Sequence, residues 1–145
     1  MENKENKFNE AKQLHQSGKI AEALKIYLEL IKDNPLDYRI FFLIGTSYLQ
    51  LKNNKKAITY LNNSIDINPE FPHSYNSRGI VFSENKQFEE AINDYEKAIS
   101  LESEFLEAHL NKGISLKNLK KYSEAKKSFE ICIKIDSFNP KIYHN

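Results

Sequence analysis

Residues 38–71 read YRIFFLIGTSYLQLKNNKKAITYLNNSIDINPEF, and residues 72–105 read PHSYNSRGIVFSENKQFEEAINDYEKAISLESEF. Laid one beneath the other they place Gly45 over Gly79, Tyr48 over Phe82, Ala57 over Ala91, Leu61 over Tyr95 and Ile65 over Ile99. Stepping outward by the same 34 residues adds Ala11, Leu14, Ala23, Tyr27 and Ile31 on one side. On the other side it adds Gly113, Leu116, Ala125, Phe129 and Ile133. Self-similarity at a fixed period in this range marks a chain built from repeated supersecondary units. The register divides the chain into units at about 4–37, 38–71, 72–105 and 106–139, and Pro140, Lys141, Ile142 and Tyr143 open a fifth within 140–145.

Inside a unit the apolar residues recur at helical spacing, Phe41, Ile44, Tyr48 and Leu51 in one segment and Ala57, Ile58, Leu61 and Ile65 in the next. The polar stretches between them, Asn53 with Asn54 or Lys86 with Gln87, are too short for the second helix to leave the first, so each unit is an antiparallel helix pair. Pro35 and Pro69 stop helices, whereas Pro72 and Pro140 suit a first turn. Glu22, Glu89, Glu90 and Glu124 complement the positive end of the second helices, and Lys55 and Lys56 oppose it. Glycine at 45, 79 and 113 costs about 1 kcal/mol each relative to alanine in a helix interior. A close approach of the partner helix over Ala57, Ala91 and Ala125 is the expected reason for tolerating it, with Tyr48 and Phe82 filling the space beside it. The first helix is polar on its outer side, at Lys7 and Glu10, as a terminal unit should be. The last helix is apolar at Phe129, Ile131, Cys132, Ile133 and Ile135, which predicts an open end available for self-association.

Twenty-one basic residues face 20 acidic ones, so no charge excess draws the whole molecule to nucleic acid or to an anionic membrane. Protein partners are expected instead. The single cysteine, Cys132, excludes an internal disulfide and suits a reducing compartment. Residues Met1 to Lys7 carry no signal-like apolar run, and nothing approaches membrane-spanning length, which gives a cytoplasmic expectation.

These columns resemble the tetratricopeptide repeat family. Its tryptophan column is filled by Phe41, Tyr75 and His109, and its Leu-Gly pair by Ile44-Gly45, Arg78-Gly79 and Lys112-Gly113. Its later tyrosine matches Tyr48, with Phe82 and Leu116 in the other units, and its alanine column is Ala23, Ala57, Ala91 and Ala125. No tryptophan occurs. The resemblance implies an all-α, right-handed α-solenoid of antiparallel helix pairs, a single array over residues 1–145. Its implied activity is non-catalytic: a concave groove, lined by the first helix of every unit, receives a peptide or an extended protein segment.

Carried onto this sequence, the groove residues are Arg39, Phe42 and Thr46, then His73, Asn76 and Ile80, then Leu110, Asn111 and Ile114. Phe42, Ile80, Leu110 and Ile114 are not needed by the repeat pattern and read as side-chain pockets. Asn76 and Asn111 read as donors and acceptors for an extended backbone. Family members that grip the acidic terminus of heat-shock chaperones use a Lys, Asn and Arg clamp. The matching positions are Phe8, Lys12, Leu43, His73 and Ser77, or Phe42, Thr46, Ser77, Glu107 and Asn111 one unit on, so that ligand is not expected. An alternative is the substrate-docking region of a larger enzyme resembling the O-linked N-acetylglucosamine transferases. Asn9 and Asn111 match the groove asparagines of those enzymes, and Leu43 and Ser77 interrupt the ladder.

Catalytic signatures are missing. The sequence has no phosphate-binding glycine loop, nucleophile elbow or metal-spaced His and Cys cluster, so neither cofactor nor metal is expected. His109 reads as a packing residue in the aromatic column, Cys132 as a buried inert thiol, and Lys120, Lys121, Lys126 and Lys127 as a solvated basic face.

Overall fold

The computed structural model describes residues 2–137. They form α1 (Glu2–Gln16), α2 (Ile20–Asp33), α3 (Tyr38–Gln50), α4 (Asn54–Ile67), α5 (Pro72–Glu84), α6 (Phe88–Leu101), α7 (Leu106–Asn118) and α8 (Tyr122–Ser137), with no strand among the described residues. The fold is all-α, as the period predicts, and α3, α5 and α7 begin at the repeat boundaries. Glu22, Glu89, Glu90 and Glu124 do lie in first turns of second helices. In α4 the Asn53 side chain accepts the Lys56 N–H at 3.2 Å, which offsets the two misplaced lysines. The expected fifth unit at 140–145 lies outside the described residues.

Two compact units divide the chain, residues 1–70 and 71–145. In the first, α1 pairs with α2, α3 with α4, and α2 packs on α3 around Ala11, Ala23, Leu24, Tyr27, Leu30, Ile40 and Ile44. In the second, α5 pairs with α6 and α7 with α8, while α6 packs on α7 and α5 also touches α7. Tyr75, Val81, Tyr95, Ala98, Phe105 and Leu116 are buried there.

The turn inside each pair has a feature the sequence does not advertise. Gly18, Lys52, Lys86 and Lys120 share one column, and all four have positive φ, between 60° and 84°. Each closes its first helix with a paired motif: Lys86 N–H donates to the Ser83 carbonyl at 3.0 Å, and Gln87 N–H to the Phe82 carbonyl at 2.9 Å. A side chain in the left-handed region costs about 1 kcal/mol or more, which glycine avoids. Lys86→Gly is therefore expected to raise unfolding stability by about 1 kcal/mol, read as a higher urea midpoint with an unchanged slope.

The mid-helix glycines do face a partner helix, but over a different column. A Cβ on Gly45 would stand 2.7 Å from Leu61 Cγ, on Gly79 2.6 Å from Tyr95 Cε1, and on Gly113 2.6 Å from Phe129 Cε1. Glycine is thus required by the large residue four places beyond each alanine, not by Ala57, Ala91 or Ala125. Tyr48 stacks instead on Tyr60, ring centroids 5.5 Å apart, and Phe82 lies under the Arg78 guanidinium.

Arg78 stands where the repeat pattern has leucine, and its charge is answered inside the fold. Its Nε and Nη2 donate to the two carboxylate oxygens of Asp94 at 2.8 and 2.7 Å. The two side chains are only 22% and 8% exposed, and the guanidinium also lies over the Tyr75 ring. Planar, two-pronged pairing of this kind is specific to arginine. His109 is buried as a packing residue and, in addition, its Nε2 lies 2.9 Å from the Ser103 carbonyl. Cys132 is half-buried, less than expected, since it sits on the last described helix. Burial raises its thiol pKa, which lowers the thiolate fraction.

Candidate functional site

The residues expected to bind lie on α3 in the first unit and on α5 and α7 in the second. On α3, Phe42 and Thr46 line a cavity of about 250 Å³ together with Lys12 and His15 of α1 and Tyr27 of α2. Thr46 Oγ1 donates to the Leu43 carbonyl at 3.1 Å. Arg39 faces a separate cavity of about 550 Å³ between Phe8, Asn9, Leu30 and Ile40. Its side chain is pinned to Asp37, Nη2 to Oδ2 at 2.8 Å, while its backbone N–H donates to the same carboxylate at 2.9 Å. Burial pushes the Asp37 pKa up, but the hydrogen bonds and charge of Arg39 outweigh it and hold the carboxyl below its ordinary value.

In the second unit Ile80, Asn111 and Ile114 line a cavity of about 380 Å³ whose floor includes Tyr95. Leu110 and Ile114, one turn apart on α7, are 43% and 44% exposed. Leu106, a turn earlier, is 36% exposed, so α7 shows a continuous apolar stripe. His73 is exposed, and its ring meets Phe105 edge-on at 4.9 Å. The two asparagines are brought together: Asn111 Nδ2 donates to Asn76 Oδ1 at 3.3 Å. Asn76 is only 4% exposed, so it holds Asn111 in place, and Asn111 alone of the two is open enough to meet a ligand.

Sequence reasoning missed the second-helix walls, Tyr27 and Tyr95. Both belong to the aromatic column, which reads as pure core until the cavities show those rings at their floors. Among the described residues no three His, Cys, Asp or Glu side chains gather as cation ligands, and no helix is long and apolar enough to cross a membrane.

Family profiles described as tetratricopeptide repeat match residues 8–72, 72–105 and 106–139. The photosystem I assembly protein Ycf3 of Rippkaea orientalis is 34% identical over 68 residues, 45% of this chain and 39% of that protein. A UDP-N-acetylglucosamine–peptide N-acetylglucosaminyltransferase of Giardia intestinalis is 34% identical over 55 residues, 38% of this chain and 4% of the enzyme. The chain thus spans about two-fifths of one relative and a small fraction of the other. The crystal structure of MamA has the same fold, with a TM-score of 0.85 at 21% identity over 93% of this chain and 79% of that one. With helix pairs, glycine and alanine columns and family profiles in one register across residues 8–139, the chain belongs to the tetratricopeptide repeat family.

Proposed function

We propose that the chain is a non-catalytic interaction scaffold whose first-helix faces hold an extended protein segment, through Arg39, Phe42 and Thr46 in one unit and His73, Ile80, Leu110, Asn111 and Ile114 in the other, with Asn76 beneath Asn111 holding its amide in place. The observation that carries it is the exposed Leu106, Leu110 and Ile114 stripe beside a cavity edged by the Asn111 amide. Apolar side chains held at the surface next to fixed polar groups are what a protein guest needs for affinity and orientation. The partner is a protein or peptide and not nucleic acid or membrane, in keeping with a formal charge of +1, and we place the chain in the cytoplasm. Self-association is a second partner class, through α8, where Ile131 and Ile133 are exposed.

The double variant Leu110→Ser, Ile114→Ser tests this. Peptides selected on the wild-type chain from a random display library should bind it about tenfold more weakly or worse, with the melting temperature lowered by only a few degrees because both side chains are already about two-fifths exposed. Undiminished binding would show that the guest lies elsewhere. A second reading, a substrate-docking region of a larger enzyme, is favoured by the 34% identity to the Giardia transferase. A catalytic domain encoded in the same transcript would establish it.

A further inference from the structure

Tyr27 and Tyr95 occupy the same column of the first and third repeats, and both rings are buried. Their hydroxyls are treated differently. That of Tyr95 has the hydroxyls of Ser83 on α5 and Ser115 on α7 as hydrogen-bonding neighbours. Two periods earlier those positions are His15 and Ser47, and Ser47 Oγ is committed to the Leu43 carbonyl at 2.7 Å. The Tyr27 hydroxyl and His15 Nδ1 are both buried without a hydrogen-bond partner, their rings 6.0 Å apart. Buried polar atoms are ordinarily paired, and leaving one unmade costs stability.

Both side chains border the cavity of about 250 Å³ that Phe42, Leu43, Thr46 and Gln50 also line, and no carboxylate lines it. Burial lowers the His15 pKa, so the ring is neutral at pH 7. A hydrogen bond with Gln50 acts the other way. A neutral imidazole carries its one proton on either nitrogen, and with it on Nε2 the unpartnered Nδ1 offers a lone pair. In that tautomer the pocket has one unpartnered donor, the Tyr27 hydroxyl, and one unpartnered acceptor, on rings 6.0 Å apart.

We propose that this pocket seats the carboxamide side chain of a glutamine or asparagine in an extended protein guest. The Tyr27 hydroxyl donates to the amide carbonyl, the amide N–H donates to His15 Nδ1, and Phe42 and Leu43 flank the stem. The half-buried His15 ring would have to turn to admit it, a side-chain change common on binding. A carboxylate would meet the Nδ1 lone pair, and an alkyl side chain would leave both atoms unpaired, so the pocket discriminates against each. The inference rests on the scaffold reading and adds the chemistry of one guest position.

The test uses the whole chain and, as probe, a display library of random peptides. Enriched peptides should carry Gln or Asn at one fixed place. Changing that residue to Ala, or Tyr27→Phe in the protein, should each weaken binding about tenfold, and the two together little more. Tyr27→Phe should leave the free protein at least as stable as wild type, because it removes an unpaired hydroxyl. Peptides without a fixed carboxamide, peptides indifferent to Tyr27→Phe, or a lowered melting temperature in that variant would each overturn the proposal. Binders that respond to Leu110→Ser, Ile114→Ser but not to Tyr27→Phe would leave the scaffold function standing and remove this pocket from it. A library yielding no binder at all would overturn both.

Discussion

Asp94→Ala is expected to lower unfolding stability by about 3 kcal/mol. Removing the carboxylate leaves the Arg78 guanidinium, 22% exposed, between the rings of Tyr75 and Phe82 with its main partner gone. The cost comes from a part-buried charge that has lost its two-pronged partner and not from the worth of the pair. The joint change Arg78→Met with Asp94→Leu should therefore recover most of the loss, since a well-packed apolar pair often matches a buried ion pair. Urea denaturation of the three variants decides the matter. A loss under about 1 kcal/mol for Asp94→Ala would mean that water screens the pair as it does at a surface.

Gly79→Ala is expected to cost about 2 kcal/mol, although alanine is the better helix former by about 1 kcal/mol. The added methyl would lie 2.6, 2.9 and 3.1 Å from three carbons of the Tyr95 ring. That ring is 1% exposed, and its hydroxyl has Ser83 and Ser115 as hydrogen-bonding neighbours, so stepping aside disturbs those contacts. Gly113→Ala presents the same clash to Phe129, which is only half-buried on the last described helix, and should cost less. The first repeat already carries Ala11 in this column opposite Tyr27, so a methyl is tolerable where the pair is built around one. Melting temperatures should fall in the order wild type, Gly113→Ala, Gly79→Ala. A Gly79→Ala protein as stable as wild type would refute the close-packed account of this column.

What the sequence by itself determined was the unit: its length, its two helices, its polar first face and its core columns. These follow from periodicity, because a residue type recurring every 34 positions inside a 3.6-residue stripe can serve only one packing role. The tertiary structure decided which columns touch. No spacing rule links Gly79 to Tyr95 rather than Ala91, or Arg78 to Asp94, whose column elsewhere holds Ile26, Tyr60 and Ser128. The left-handed turns at Lys52, Lys86 and Lys120 were equally silent, since lysine gives no sign of a conformation imposed by its helix end. Of the candidate site, the exposed Leu110 and Ile114 could be read from surplus apolar residues on a face that the repeat leaves wet. The burial of Asn76 beneath Asn111, and the unpaired hydroxyl of Tyr27 where Tyr95 is satisfied, could not. Hydrogen bonds join atoms across helices, and a one-dimensional pattern records which residues share a face but not which polar atoms on that face find each other.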